Sequence, residues 1–436
     1  MERNVYQKLI EWKKSKRRKP LILEGARQVG KTWLMEEFAK NEYTDFVILN
    51  FKGNKEAKSL FIDTVDPKAI IERISIMRNK PIKPHETLII FDEIQDCPDA
   101  VSSLKFFNEQ ANEFHLITAG SLLGTYLAKE TSFPVGKVNI IYVYPLSFDE
   151  FLREEDDGMY KYYSGVKSKK DFIEAFHNRM MDLYRKYLIV GGMPECVASW
   201  LGYQDTGIIL QIQEELIKIY ENDISQHNAK IPAAKTVLTF RNIIPQLAKE
   251  NEKFIYSAIR QGGRGRDFED AIEWLVTSGL VLKANNLSAP TYPIKAYEKF
   301  DVFKLFMLDC GLAKYKAGID NKSILLNEDF MFKGKLNENY VAQQITTQIT
   351  STLNYFSPSN DLEVDFIVQS GDKIVPIEVK SGKGKKANSL KRYIDIYKPE
   401  KAIRISSNGY VVDGNITNIP LYFASKVIEL IETDKV

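Results

Sequence analysis

At 436 residues, with 44% hydrophobic and 27% charged residues and a formal net charge of +2, the chain has a globular composition that excludes a disordered or fibrous polymer. Its length implies several domains, because single cores stop growing near about 250–300 residues. No apolar run approaches the roughly 18 residues of a membrane span, and the polar, basic stretch Met1 to Pro20 is unsuited to a secretory signal, so a cytoplasmic protein with no membrane partner is expected.

With the charge so close to neutral, any attraction to nucleic acid must come from local patches. The first is Lys13, Lys14, Lys16, Arg17, Arg18 and Lys19, which equally describes a solvated face. The apolar run Leu21 to Glu24 then predicts a buried strand. It leads into Gly25-Ala26-Arg27-Gln28-Val29-Gly30-Lys31-Thr32, a full match to G-x-x-x-x-G-K-[ST]. Glycines let the backbone turn its N–H groups toward phosphate oxygens, Lys31 neutralises the β- and γ-phosphates, and the Thr32 hydroxyl suits magnesium. From Trp33 to Lys40 the i, i+4 apolar spacing predicts a helix starting at the phosphates. The expected ligand is ATP with Mg²⁺.

A second strand-like run, Thr87 to Phe91, ends in Asp92-Glu93. Asp92 would join Thr32 around the magnesium and Glu93 would polarise the attacking water, although two acids there could also cap a turn. Runs at Phe46 to Phe51, His115 to Thr118 and Val138 to Val143 complete a predicted parallel α/β sheet. After the fourth of these five strands, Ser121 is placed to sense the γ-phosphate, or to make a simple turn.

Residues 152–231 read as helices interrupted at Gly191-Gly192 and Pro194, forming a lid. Arg153, Arg185, Arg260, Arg264 and Arg266 are all eligible to complete phosphate stabilisation, and spacing does not choose among them. Residues 232–320 read as helix, turn, helix and hairpin, a winged-helix-like order. The reading helix carries Asp267, Glu269, Asp270 and Glu273, which would repel phosphates and favour protein contact.

Near the C-terminus, Val364 to Val368 and Ile374 to Val379 flank a two-residue turn at Gly371-Asp372. That register sets Asp365 opposite Glu378 and Glu363 opposite Lys380, with Asp365, Glu378 and Lys380 on one face. Paired carboxylates call for a cation, and Mg²⁺ or Mn²⁺ fits, with Asp365 and Glu378 as ligands. The alternative is a surface hairpin in which Lys380 pairs with Glu363 or Glu378 and no chemistry occurs. Pro376 within the second strand predicts an edge or a bulge. A second basic run, Lys380, Lys383, Lys385, Lys386, Lys391 and Arg392, follows. Cys97, Cys196 and Cys310 are read as reduced and structural, and His85, His115, His177 and His227 lack zinc-ligand spacing.

Taken with Phe91-Asp92-Glu93-Ile94-Gln95, Ala119-Gly120-Ser121, Tyr144 to Phe151, Gly191 to Glu195, Glu338-Asn339, Glu363 to Phe366 and Ile377 to Lys380, the chain resembles prokaryotic AAA-type ATPases with a C-terminal domain related to PD-(D/E)XK nucleases. The resemblance implies a P-loop ATPase core at 1–151, a helical lid at 152–231, a winged-helix-like segment at 232–320 and a restriction-endonuclease-like α/β domain at 321–436. It also implies that Glu338 is the first acidic residue of the nuclease-like site and that Lys380 orients or deprotonates water. The expected protein is an ATPase acting as a switch, with Lys31 and Glu93 catalytic. It would be coupled to a module that binds or cuts DNA through Glu338, Asp365, Glu378 and Lys380, and it could form oligomers. The alternative is a non-catalytic regulator whose nucleotide state controls a protein partner.

Overall fold

The computed structural model describes residues 1–120, 136–226, 233–249, 253–359, 361–380 and 389–433. These fall into two compact units: Met1–Tyr144 with Thr277–Gly279, and Pro145–Val276 with Leu280–Val436. No helix among the described residues is long and apolar enough to cross a membrane.

In the first unit, α1 (Val5–Lys14) precedes β1 (Leu21–Glu24), α2 (Lys31–Glu42), β2 (Asp45–Asn50), α3 (Lys55–Ser59), α4 (Pro67–Met77), β3 (Thr87–Asp92), α5 (Pro98–Gln110), β4 (His115–Ala119) and β5 (Asn139–Tyr142). The five strands lie in the order β2-β3-β4-β1-β5 and every pairing is parallel. β3 and β4 are buried along their whole length, as a strand covered on both faces must be. Edge-to-face contacts among Phe51, Phe61 and Phe91 anchor one layer of this core. The predicted strands and the helix after the loop are all present, and α2 begins at Lys31 itself.

Part of the first basic patch is used internally. Lys13 donates to the Glu42 carbonyl and Arg18 to that of Asn112. Beside them, at the opposite end of the sheet from the loop, His115 Nδ1 meets Tyr43 Oη at 2.6 Å and its Nε2 meets His85 Nδ1 at 3.3 Å. The two histidines are therefore neighbours in space despite their sequence separation, but no third ligand joins them among the described residues.

Burial, followed by the charges of Arg18, His85 and Lys13, pushes the His115 pKa down to about 3. Between that value and its ordinary one near 6.5 the unfolded chain binds the extra proton, so His115 makes stability fall as pH falls through 6.5. Denaturant titration should show about 1 kcal/mol less stability at pH 5 than at pH 7 from this site, allowing for solvent screening. His115→Gln should flatten that acid limb, and an unchanged slope would remove His115 as its source.

The second unit opens with helices: α6 (Phe148–Glu155), α7 (Asp157–Gly165), α8 (His177–Val190), α9 (Pro194–Tyr203), α10 (Thr206–Gln226), α11 (Ala233–Leu247) and α12 (Gly265–Thr277). The hairpin β6 (Val281–Leu287) and β7 (Glu298–Met307) follows, then α13 (Cys310–Lys316), α14 (Asn321–Leu325) and α15 (Lys333–Gln348). After these come β8 (Leu353–Ser359), β9 (Leu362–Ser370), β10 (Lys373–Val379), α16 (Ser389–Tyr397), β11 (Ala402–Ser406), β12 (Val411–Asp413), β13 (Ile416–Pro420) and α17 (Val427–Thr433). One eight-stranded sheet runs β12-β13-β11-β10-β9-β8-β6-β7. The hairpin that the sequence grouped with a winged-helix-like segment ending at 320 is thus hydrogen-bonded into the C-terminal sheet, with β6 parallel to β8. Local hairpin periodicity could not reveal that pairing.

The buried polar face of α15 ties this unit together. Asn339 Oδ1 accepts from Met307 N at 2.9 Å, Gln343 Oε1 from Cys310 N at 2.8 Å and Gln344 Oε1 from Phe148 N at 2.8 Å. Asp309 is wholly buried and accepts from Gly192 N at 2.6 Å and Leu312 N at 3.0 Å, which explains why the helical pattern breaks at Gly191-Gly192. A side chain at either glycine would collide with Asp309 or with Leu146 and Tyr187.

Candidate functional site

In the first unit β1 delivers the chain to Gly25, whose φ of 146° suits only glycine and whose missing Cβ would strike the Val143 carbonyl. The loop closes on Gly30, left-handed at φ 91°, which is the N-cap of α2. The first N–H groups of that helix, which have no partners within it, are therefore available to an anion. Lys31 is 8% exposed, and its Nζ donates to the carbonyls of Gly25 and Ala26 at 2.8 Å each. Burial lowers its pKa to about 8, although Glu93 and Asp92 oppose the shift.

Thr32 Oγ1 donates to Asp92 Oδ2 at 3.1 Å, so loop and β3 bring the two candidate magnesium ligands together. Burial and then Glu93 push the Asp92 pKa up, while Thr32 and the Glu93 backbone partly offset this. Glu93 stands at the strand end in the left-handed region, φ 51°, and its Oε2 accepts from Gln95 Nε2 at 2.6 Å. A buried carboxylate beside a hydroxyl is an oxygen donor set that fits Mg²⁺. Ser121 lies outside the described residues.

Two residues of this site were not identified from sequence. Asn50 is directly opposite Asp92 in the β2–β3 register and donates to Asp92 Oδ2 at 3.1 Å. Its position at the end of the strand beside β3 was the available signal. Arg3, buried, donates to the Val29 carbonyl at 3.1 Å and to that of Tyr144 at 2.6 Å, clasping the loop from behind. Nothing local marks Arg3 for this role.

In the second unit, β9 and β10 pair from Lys373↔Ser370 to Ile377↔Phe366, the register expected across Gly371-Asp372. Pro376 is neither at a sheet edge nor in a bulge, contrary to expectation. The β10–β11 ladder begins only at Ile377↔Ile403, so the missing proline N–H lies beyond the reach of β11. Past Ile377 the pairing to β9 stops, and Asp365 Oδ2 accepts from Val379 N at 2.7 Å.

Glu338 (3% exposed) and Glu378 (2%) are buried. Lys304 (1%), on β7, donates to Glu338 Oε1 at 3.0 Å and to Glu363 Oε1 at 2.7 Å, while Lys335 donates to Glu338 Oε2 at 3.3 Å. Burial alone would raise the Glu338 pKa, but Lys304 and Lys335 outweigh it and hold the carboxyl below its usual range. Asp365 is pushed up, by burial first and then by Glu338. Lys380 pairs with Glu378 Oε1 at 2.8 Å, and Arg404 Nε lies 3.7 Å from Glu378 Oε2. Lys304 was missed because the sequence pattern of β7 is that of an ordinary strand. The carboxylates predicted to hold a metal are instead engaged by cations and backbone, and among the described residues no group of three or more metal-ligating side chains is assembled. This set does not fit a divalent ion.

Residues 17–152 match the profile of a family described as an AAA domain. Residues 181–323 and 333–430 match two families each described as a domain of unknown function, DUF8612 and DUF4143. No curated protein matches the chain. Similar solved structures include the Walker-type ATPase of Pyrococcus abyssi, at 13% identity over 72% of this chain and 94% of that one, with a TM-score of 0.43. Two others are Aeropyrum pernix ORC1 in complex with DNA (12%, 73% and 93%, 0.29) and Thermotoga maritima RuvB (15%, 64% and 88%, 0.31). The loop, the Thr32–Asp92 pairing and the parallel sheet agree with the family match: residues 17–152 have a P-loop NTPase fold and are similar to AAA domains.

Proposed function

We propose that this protein is a magnesium-dependent ATP-hydrolysing switch whose nucleotide state governs nucleic-acid binding by the C-terminal unit. The observation that carries the first half is the convergence of Thr32, Asp92 and Lys31 on one loop and strand end. The backbone N–H groups of the loop and the start of α2 bind the phosphates, and Lys31 exchanges its Gly25 and Ala26 carbonyls for phosphate oxygens. Thr32 and Asp92 would hold the magnesium ion, which would supply positive charge against the phosphate oxygens. Glu93, steadied by Gln95, orients a water and takes its proton.

The nucleic-acid half is supported by the exposed cations Lys391 and Arg392 on α16. Lys383, Lys385 and Lys386 lie outside the described residues. A protein partner is the second reading, favoured by the exposed Glu269, Asp270 and Glu273 on α12, whose apolar residues Phe268, Ile272 and Leu275 are buried.

Fluorescence anisotropy of labelled single-stranded and duplex DNA and RNA should show affinities differing about fivefold or more between the full-length protein with ADP and with a non-hydrolysable ATP analogue. Equal affinities in both states would sink the coupling. Absence of any nucleic-acid binding would hand the role to a protein partner.

A further inference from the structure

Three carboxylates of the second unit, Glu338, Glu363 and Asp365, gather where β7, α15 and β9 meet, and Glu378 lies on β10, the strand beside β9. Lys304 of β7 and Lys335 of α15 face the first three, while Lys380, just past β10, and Arg404 of β11 face Glu378. Charge is therefore balanced within the chain. A divalent ion needs the reverse, a surplus of negative oxygen around an open position.

We propose that the Lys304 ammonium is the resident cation of this carboxylate cluster, so that the unit holds its buried acids together without a divalent metal ion. Lys304 is the natural candidate because it bridges two carboxylates on different elements, Glu338 of α15 and Glu363 of β9, at 3.0 and 2.7 Å. Its cross-strand partner on β6 is Ala284, which adds no bulk on the shared face, and its Nζ lies 4.9 Å from the centre of the Tyr355 ring. An ammonium in this setting is stripped of water and held by charge on two sides and a π-face on a third, much as a bound ion would be.

Three further oxygens are also committed. Glu338 Oε2 is taken by Lys335, Asp365 Oδ2 by the Val379 N–H and Glu378 Oε1 by Lys380. Glu378 Oε2 is buried without a hydrogen bond, and its neighbour is the Arg404 guanidinium at 3.7 Å. An ion seated there would have to displace fixed positive charge. This inference rests on the second unit alone and holds whether or not the first unit turns over ATP.

The test is Mn²⁺ binding, counted by electron paramagnetic resonance of free Mn²⁺, on nucleotide-free full-length protein carrying Asp92→Asn to silence the first unit's site. That protein should leave the Mn²⁺ spectrum unchanged. Adding Lys304→Met should lower the unfolding midpoint by roughly 10 °C, as removal of one member of a buried ion pair does. It should also create one Mn²⁺ site that restores much of that loss. Should this variant not fold, Lys304→Met with Glu338→Gln and Glu363→Gln removes both signs together and is expected to fold.

Mn²⁺ binding by the Asp92→Asn protein that is lost with Glu338→Gln or Asp365→Asn would overturn the proposal. So would a Lys304→Met protein that is fully stable and gains no Mn²⁺ site, or failure of the triple substitution to fold.

Discussion

Replacing Lys31 by Ala should weaken ATP binding by about two orders of magnitude or more, because charge-assisted hydrogen bonds to phosphate contribute roughly 1.5–3 kcal/mol each and Lys31 can make more than one. The fold should tolerate the change. The two partners of Lys31 Nζ are loop carbonyls that can turn to water, and the substitution removes a buried ammonium whose pKa is already depressed to about 8. Titration with a fluorescent nucleotide, with circular dichroism as the folding control, reads the effect. A variant binding ATP as tightly as the parent would remove the central assignment of the loop.

Glu93→Gln should separate binding from turnover. Gln keeps the size of the side chain but cannot take a proton, so steady-state hydrolysis should drop by roughly 10²–10⁴ while nucleotide affinity stays near that of the parent. Asp92 provides the contrast: it contacts Thr32 and Asn50 directly, so its loss should damage binding as well. Turnover that survives in Glu93→Gln would place the base elsewhere.

The candidate nucleotide site was legible because its chemistry is local. Eight consecutive residues and one strand end supply the groups, and the backbone conformations they need, left-handed at Gly30 and Glu93, follow from glycine in one case and a strand terminus in the other. What escaped was everything set by long-range register. Asn50 matters because β2 lies beside β3, Arg3 because the N-terminus passes behind the loop, and Lys304 because β7 and its hairpin partner β6 join a sheet whose other strands come after residue 350.

The C-terminal hairpin shows both outcomes in one element. Its register follows from the two-residue turn and was readable as far as Ile377↔Phe366, but the expected pairs Asp365–Glu378 and Glu363–Lys380 lie past the end of the ladder. The meaning of its carboxylates was not, since acids at that spacing look the same whether a metal or a lysine from a distant strand neutralises them. Pro376 misled for a similar reason: the position of a proline in a sheet depends on where the neighbouring ladder starts, which is a property of β11.

The polar spine of α15 has a consequence for how the chain is made. The five strands of the first unit are complete once Tyr142 has emerged, so that domain can close early. The helices that follow cannot: Phe148 N waits for Gln344, 196 residues later, and the Tyr163 hydroxyl for Ser425, 262 residues later. At about 5–20 residues per second of synthesis, the first of these gaps alone lasts roughly 10–40 s. Through that interval Phe148, Phe151 and Tyr187, all buried in the finished protein, are without much of their final cover. The nascent chain therefore passes through a stage with one finished domain and a sticky helical tail, and slower translation lengthens its exposure to wrong partners.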